Sequence, residues 1–373
     1  MSRSHWHYPR REFAGQVYDL LAHGPVSALS LFGPRRTGKT QFLTHDLGPL
    51  AREEGHRVVY VSFWQTLDSP LGILLYEFDR ALRTGNVMDR LRTTASDLAP
   101  KFKLKTPDGT GEIEVDLANL KGQAPESLLL LLDQYCERLA NDDKPAFLLF
   151  DEFQELARSK ASAPLISALR TSLDKRRDGL ATLFTGSSPD GLRRMFTARA
   201  APFFRFASPI ELPALDERFV NHQIEAFRKS SKARLDRPTA MEVFDTFEQN
   251  PLFFQRWLTT VALHPDMDPR DAVQKVQDEL SEEFGFGEVW LGLSATQRLV
   301  ARMLADHVTQ LYGQAGADFI KDLTGKSAPN SSSLQSALKL LSRHALVEKW
   351  EEEWRISDPL FENWIRHRPK TDF

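Results

Sequence analysis

Residues 33–40 read Gly-Pro-Arg-Arg-Thr-Gly-Lys-Thr. The spacing fits G-x-x-x-x-G-K-[ST], in which glycines let a short loop curl until its N–H groups face phosphate oxygens. A helix opening at the end of the loop adds its dipole to the same anion site. In that arrangement Gly33, Pro34, Arg35, Arg36, Thr37, Gly38 and the following Gln41 form the cradle. Lys39 reaches the outer phosphates of a nucleotide, and the Thr40 hydroxyl holds a magnesium ion. A second constellation lies at 147–156, FLLFDEFQEL. Four apolar residues end in Asp151 and Glu152. Beside the loop, Asp151 would help hold magnesium, and Glu152 would orient and polarise a water for attack on the terminal phosphate. The simpler reading is a strand ending in an acidic helix cap, but a chain that only grips a nucleotide has no need of the second carboxylate. A third stretch, LFTGSS at 183–188, offers Ser187 or its neighbour Ser188 as a sensor of the terminal phosphate, or as ordinary turn residues.

These groups meet only if each stands at the end of a strand. VSALSLFG (26–33), RVVYVSF (57–63), PAFLLFDEF (145–153) and LATLFTGS (180–187) are short apolar runs that predict buried strands. Helical spacing separates them at 40–53, 125–140 and 162–175, with Gly48-Pro49 expected to bend or shorten the first. Alternating strands and helices imply an α/β core with a parallel sheet covered on both faces. KFKLKTPDGTGEIEVDL (101–117) alternates around a Pro-Asp-Gly-Thr-Gly turn and predicts a β-hairpin inserted after the second strand.

The core is expected to span 1–212. From 213 to 290 strand signals stop, and a helical region follows, with Asp236 capping one helix and Asp268-Pro269 opening another. From 291 to 373 the pattern is three helices, opened at Ser294 and interrupted at Gly325, with Leu334, Leu338 and Leu341 on one face of the third. An alternating hairpin comes next. Three helices and a hairpin describe a winged helix-turn-helix.

The totals agree. At 373 residues, with 41% hydrophobic and 27% charged side chains, the chain suits a globular protein of two or three domains of roughly 100–200 residues each. No apolar run approaches a membrane span of about 20 residues, and the basic, aromatic N-terminus lacks the apolar core of a signal peptide. Cys136 is the only cysteine, so no internal disulfide can form, and a reducing cytoplasm is expected. A net charge of −3 excludes a uniformly basic nucleic-acid binder.

With GPRRTGKT, DEFQEL, TGSS and ISDPLFENWIR in that order, the chain resembles the archaeal-type P-loop ATPases of the AAA+/STAND group over nearly its whole length. The resemblance implies an ATP-binding core, a helical lid and a C-terminal winged helix. It also implies ATP and magnesium as cofactors, and slow basal hydrolysis that drives a switch or a homo-oligomer rather than metabolic turnover. FAGQ (13–16) resembles the family's opening segment, which places Phe13 near the adenine; Gln16 stands where an arginine is usual. Arg205 matches an arginine that enters a neighbouring subunit's site, with Arg193, Arg194 and Arg199 as rivals. Pro251 matches a lid proline that touches the nucleotide. Arg256 is either a sensor or half of a helix-face salt bridge.

A winged helix raises the question of duplex DNA. Its third helix would offer Ser332, Gln335, Ser336, Lys339 and Arg343 to a groove. Against this, the wing carries Glu351, Glu352 and Glu353, and 292–373 holds 11 basic and 10 acidic side chains, a weak balance for phosphate contacts. Trp350 and Trp354 would equally anchor a protein partner or pack the wing. The expected function is an ATP-driven switch acting on DNA or a DNA-linked assembly; the alternative is a signalling switch whose winged helix binds a protein.

Overall fold

The computed structural model describes the chain apart from residues 1–2, 65–68, 84–100, 106–111, 117–124, 142, 187–188, 200, 232, 351–352, 370–371 and 373. Its centre is a five-stranded parallel sheet of β1 (Ala28–Phe32), β2 (Val58–Ser62), β5 (Ala146–Asp151), β6 (Leu180–Thr185) and β7 (Ser208–Glu211). The order across the sheet is β2-β5-β6-β1-β7. Every residue of β1, β5 and β6 is buried, because helices cover both faces and an unbroken apolar run is what such a strand needs. One face packs on Leu131, Tyr135, Leu169 and Phe203, the other on Val17, Phe42, Leu43 and Leu47.

Four of these strands fall where the apolar runs predict them. The fifth, β7, lies within the segment SPIE, which carries no apolar run and contains Pro209. Proline cannot donate to a ladder, so it is confined to edge strands, and β7 is an edge strand paired only with β1. The hairpin also forms: β3 (Lys101–Lys105) pairs antiparallel with β4 (Glu112–Asp116). Its turn lies outside the described residues.

The helix after the phosphate loop differs from expectation. Gly48-Pro49 does not end it. The turn Lys39–Gln41 passes into a π-helical stretch, Phe42–Leu47, which continues as the helix Gly48–Glu53. A π-turn widens the ladder and accommodates a ring that lacks an N–H.

Beyond Pro213 the chain is helical, and its caps follow the sequence. Asp236 accepts from Thr239 N–H at 2.9 Å, and Ser294 and Gln297 form a reciprocal capping box. The helix expected to open at Pro269 is regular over Asp271–Glu283, and Asp268 caps the turn before it, accepting from Arg270 N–H at 2.8 Å through its side chain and from Ala272 N–H at 3.2 Å through its carbonyl. Helices Ala295–Ala305, Gln314–Thr324 and Ser331–Arg343 are followed by an antiparallel pair, β8 (Val347–Trp350) and β9 (Glu353–Ile356), and by the helix Pro359–His367. Leu334, Leu338 and Leu341 are buried on one face, as their spacing predicts.

The buried core from Leu215 to Ile365 is one cluster. Phe286 meets Phe361 at 5.2 Å and Trp290 meets Trp364 at 6.0 Å, so no gap in packing marks position 290. Cys136 is buried, which pushes its thiol up to about 12 and leaves it inert at neutral pH. Among the described residues no helix is long and apolar enough to cross a membrane.

Candidate functional site

The loop at 33–38 joins the carboxyl end of β1 to the helical turn at Lys39. Gly38 sits at φ +97°, a conformation that side-chain-bearing residues rarely adopt, with open space where a Cβ would be. Conformation, not room, requires glycine there. Thr37 Oγ1 closes the loop by donating to the Pro34 carbonyl at 2.8 Å.

Lys39 is 6% exposed. Its ammonium donates to the carbonyls of Gly33 at 2.8 Å and Pro34 at 2.6 Å. Burial lowers its pKa from near 10.5 to about 8, while Glu152 and Asp151 pull the other way. Triphosphate oxygens would raise it again. Between about pH 8 and 10 the free protein therefore lacks part of a proton that the complex would hold. Calorimetric titration of ATP at pH 8.5, in two buffers of different ionisation enthalpy, should show uptake of a substantial fraction of a proton. The uptake should vanish in Lys39→Ala.

Asp151 ends β5, buried at 3% exposure, and three hydroxyls converge on it. Thr40 Oγ1 donates at 2.6 Å and Tyr60 OH at 3.0 Å, both to Oδ2; Thr185 Oγ1 donates to Oδ1. Burial and the adjacent Asp151 charge hold the Tyr60 phenol well above its usual range, so it stays a donor. The Thr40 hydroxyl and the Asp151 carboxylate are hard oxygen ligands of the kind magnesium takes. Among the described residues no group of three or more His, Cys, Asp or Glu is placed to hold a metal ion.

Glu152 follows in the left-handed region, φ 56° and ψ 40°, which turns its side chain off the strand and into the cavity beside Lys39 and Thr40. Gln154 Nε2 donates to Glu152 Oε2 at 2.5 Å. Gln154 is itself buried, and a Cβ on Gly186 would stand 2.0 Å from its Oε1. Gly186→Ala should thus displace the Gln154 amide, a flexible end the fold can move, and with it the orientation of Glu152. The expected loss in ATP turnover is on the order of tenfold to a hundredfold with ATP affinity held. Gln154→Ala should match it in a steady-state phosphate-release assay.

The cavity above the loop has a volume of about 320 Å³. Arg36, Thr37, Gly38, Lys39, Thr40, Gln41, Glu152 and Pro251 line it; Gly33, Pro34, Arg35 and Asp151 do not. Pro251 opens the helix Pro251–Leu263, capped by Asn250. Phe13 is not among the lining residues; its ring packs on Phe42 at 5.0 Å, on the apolar side of the loop helix. The wall expected of Phe13 comes instead from Trp6, His7 and Tyr8. Arg205 is exposed, in the left-handed region at φ 54°, with its guanidinium 5.2 Å from the Phe204 ring; it does not line the cavity. Arg256 pairs with Glu283 at 2.9 Å on the surface. Ser187 and Ser188 lie outside the described residues.

Among the lining residues that no motif pointed to, Arg10 and Asp46 carry charge. Arg10 lines the cavity and donates to the Thr37 carbonyl at 3.2 Å and to the Pro213 carbonyl. Its place in HYPRREF, just before the FAGQ segment, was the available signal. Asp46 lies seven residues beyond Lys39, in the π-helical stretch, and pairs with His7 at 2.8 Å; no motif marks it.

Arg36 leads away from the cavity. Its Nη1 lies 2.7 Å from both oxygens of Asp358, and its guanidinium covers the Phe284 ring at 4.2 Å. Asp358 caps the helix Pro359–His367 through Leu360 N–H. The phosphate loop is thereby tied to the C-terminal helix.

No protein-family model matches the sequence, and no curated protein matches it. Solved structures do. The Walker-type ATPase PABY2304 of Pyrococcus abyssi superimposes with a TM-score of 0.64 at 16% identity, over 96% of this chain and 95% of that one. The ORC2 protein of Aeropyrum pernix in its ADP form gives 0.56 at 17% identity, over 95% and 92%. The same protein in ADPNP–ADP complexes gives 0.54 at 15%, over 98% of both. The chain has the fold these proteins share, a P-loop core with a parallel sheet followed by a helical C-terminal region.

Proposed function

We propose that the chain is an ATP-binding and ATP-hydrolysing switch of the AAA+/STAND type, with slow basal turnover, acting on DNA or a DNA-linked assembly. The observation that carries the reading is the 2.6 Å bond from Thr40 to Asp151. It brings a phosphate-loop hydroxyl and a strand-end carboxylate to one point, with Lys39 and Glu152 lining the same cavity. The likeness to a Walker-type ATPase and to a protein solved with ADPNP and ADP supports nucleotide as the ligand.

In this reading the loop N–H groups and Lys39 bind the β- and γ-phosphates. Thr40 and Asp151 would hold Mg2+, which when bound offsets charge on the phosphoryl oxygens. Glu152, oriented by Gln154, positions the attacking water and draws its proton. Arg205, exposed and outside the lining of its own cavity, would serve a neighbouring subunit's site in a homo-oligomer. The Arg36–Asp358 contact gives nucleotide a route to the C-terminal region. ATP moves that equilibrium only as far as it binds one arrangement better than the other.

The helices Ala295–Ala305, Gln314–Thr324 and Ser331–Arg343, with the β8–β9 pair, serve as a winged helix. Ser332, Gln335, Ser336, Lys339 and Arg343 are all exposed on its third helix. Lys339 and Arg343 share a cleft with Arg194 of the core, beside Tyr312 and Trp354. Three cations and two aromatics in one cleft favour a nucleic-acid backbone. The protein-partner alternative is supported by Glu348 and Glu353, which line a neighbouring cavity with Trp354. Fluorescence anisotropy with labelled duplex decides between them. DNA binding should weaken steeply with salt, and Lys339→Ala and Arg343→Ala should each reduce the log–log salt slope by about 1. Absence of binding at low salt, with ATP turnover indifferent to DNA, would favour the protein partner.

A further inference from the structure

The central sheet has two edges, and they are finished differently. β7 is blunted. Leu212 N–H donates to the Phe32 carbonyl at 2.8 Å, so alternate residues before it turn their backbone groups toward β1, and Pro209 and Glu211 turn theirs outward. Pro209 therefore puts its missing N–H on the open side, which protects an edge from further pairing. β2 has no such device. Phe147 N–H donates to the Arg57 carbonyl at 2.7 Å, and Phe63 N–H donates to the Asp151 carbonyl at 3.0 Å. Arg57, Val59, Val61 and Phe63 thus face β5, while Val58, Tyr60 and Ser62 turn their N–H and C=O groups away from the sheet. Among the described residues no backbone group pairs with that outer side.

Val58, Tyr60 and Ser62 are the partly exposed residues of β2, and all three line an open cleft of about 1030 Å³. The helix Gly48–Glu53 contributes Arg52 to its walls, and the helix Pro70–Arg83 contributes Ile73 and Arg80. The cleft is cationic: Arg52, Arg57, Arg80 and Lys144 line it against Glu77 and Asp143. Arg80 pairs with Glu77 at 3.1 Å, but Arg80 is open to solvent, which weakens such a pair. Trp64, 59% exposed, follows two residues after Ser62, and Tyr76, 57% exposed, stands between Ile73 and Arg80 on its helix. An open ladder edge, a positive rim and bare aromatics together suit an extended segment that alternates apolar and acidic residues.

The chain carries such a segment. β4 reads Glu-Ile-Glu-Val-Asp, and its hairpin partner β3 reads Lys-Phe-Lys-Leu-Lys. The hairpin is a two-stranded sheet separate from the central one, so β4 pairs on one side only. Of its two strands, β4 has the charge for the cleft; β3 would meet it with like sign. We propose that the free edge of β2 is a docking surface for a second copy of this chain, which adds its β4 to the central sheet as a further strand. The hairpin, to which hydrolysis gives no role, supplies one half of the contact and the cleft the other. Because the halves are different surfaces, mutual exchange closes a dimer and successive exchange builds a longer assembly.

A five-residue ladder is a small interface, so association is measured on the full chain by sedimentation equilibrium up to about 100 µM. The average mass of wild type should rise with concentration. Arg52→Glu with Arg80→Glu should weaken association at least about tenfold, and so should Glu112→Lys with Glu114→Lys. Tyr60 is left unchanged, because its hydroxyl serves Asp151. Unaltered circular dichroism and melting show that each variant folds. Mixed in equal amounts, the two variants should associate again, since each keeps the surface the other has lost. A synthetic peptide of residues 110–118, in excess, should dissociate wild type; the same peptide N-methylated at each of residues 112–116 should not, because it cannot donate to a ladder. Wild type that stays monomeric throughout, variants that associate like wild type, or a mixture that stays monomeric would each overturn the proposal. So would a methylated peptide as effective as its parent, which would reduce the contact to charge alone. Binding of labelled oligothymidylate in place of the peptide, lost in Arg52→Glu with Arg80→Glu, would assign the cleft to a nucleic-acid strand and overturn it as well.

Discussion

Glu152→Gln should reduce single-turnover ATP hydrolysis by about 10²–10⁴-fold, the usual contribution of a positioned general base, while ATP affinity stays within a few-fold of wild type. The amide has the size and shape of the carboxylate and can still accept from Gln154, so the cavity keeps its form. It cannot take the proton of an attacking water. The left-handed backbone at this position is already set by the turn after β5, and an amide neither relieves nor adds to it. Lys39→Ala should behave differently and lose affinity first, because it removes the charge that meets the phosphates. Turnover that survives Glu152→Gln undiminished would mean that another group activates the water.

Cutting the contact between loop and C-terminal helix should separate hydrolysis from its output. Arg36 and Asp358 are each about four-fifths shielded, at 23% and 19% side-chain exposure. Their pairing is therefore worth more than the fraction of a kcal/mol typical of open surface pairs. A double-mutant cycle of Arg36→Ala with Asp358→Asn should give a coupling energy of about 1–3 kcal/mol in urea unfolding. Asparagine keeps the helix cap, so the cycle reads the ion pair rather than the helix end. In wild type, ATP should alter amide exchange in the helix Pro359–His367. In Arg36→Ala that helix should exchange alike with and without ATP, although ATP still binds. A coupling energy near zero, or an undiminished response to ATP in the variant, would remove this contact from the route between the two regions.

Much of this arrangement is legible in the sequence, for physical reasons that differ by element. β1, β5 and β6 announce themselves because a strand covered on both faces must be apolar throughout. β7 does not, because an edge strand tolerates Pro209 and exposure. The caps at Asp236 and Ser294 follow from local chemistry. Asp268 caps by the same chemistry, just before the regular helix Asp271–Glu283. In the site, the loop and the Asp151-Glu152 pair are contiguous motifs whose geometry is fixed by the turn that contains them. Arg10, Asp46 and Gln223 reach the cavity from three separate segments, and only tertiary packing brings them together. Phe13 shows the converse: it occupies its place in the opening segment, but the helix Arg11–Ala22 turns its ring toward Phe42. The Arg36–Asp358 contact spans more than 300 positions of chain and has no local signature at all.

Magnesium-dependent phosphate release from ATP by the purified chain, compared with Lys39→Ala under the same preparation, tests the central claim most directly. Slow turnover in wild type, abolished by chelation of the metal and absent in Lys39→Ala, is the expected result. Equal phosphate release from both proteins would trace the activity to a contaminant or another site and contradict the assignment of this cavity as an ATPase centre.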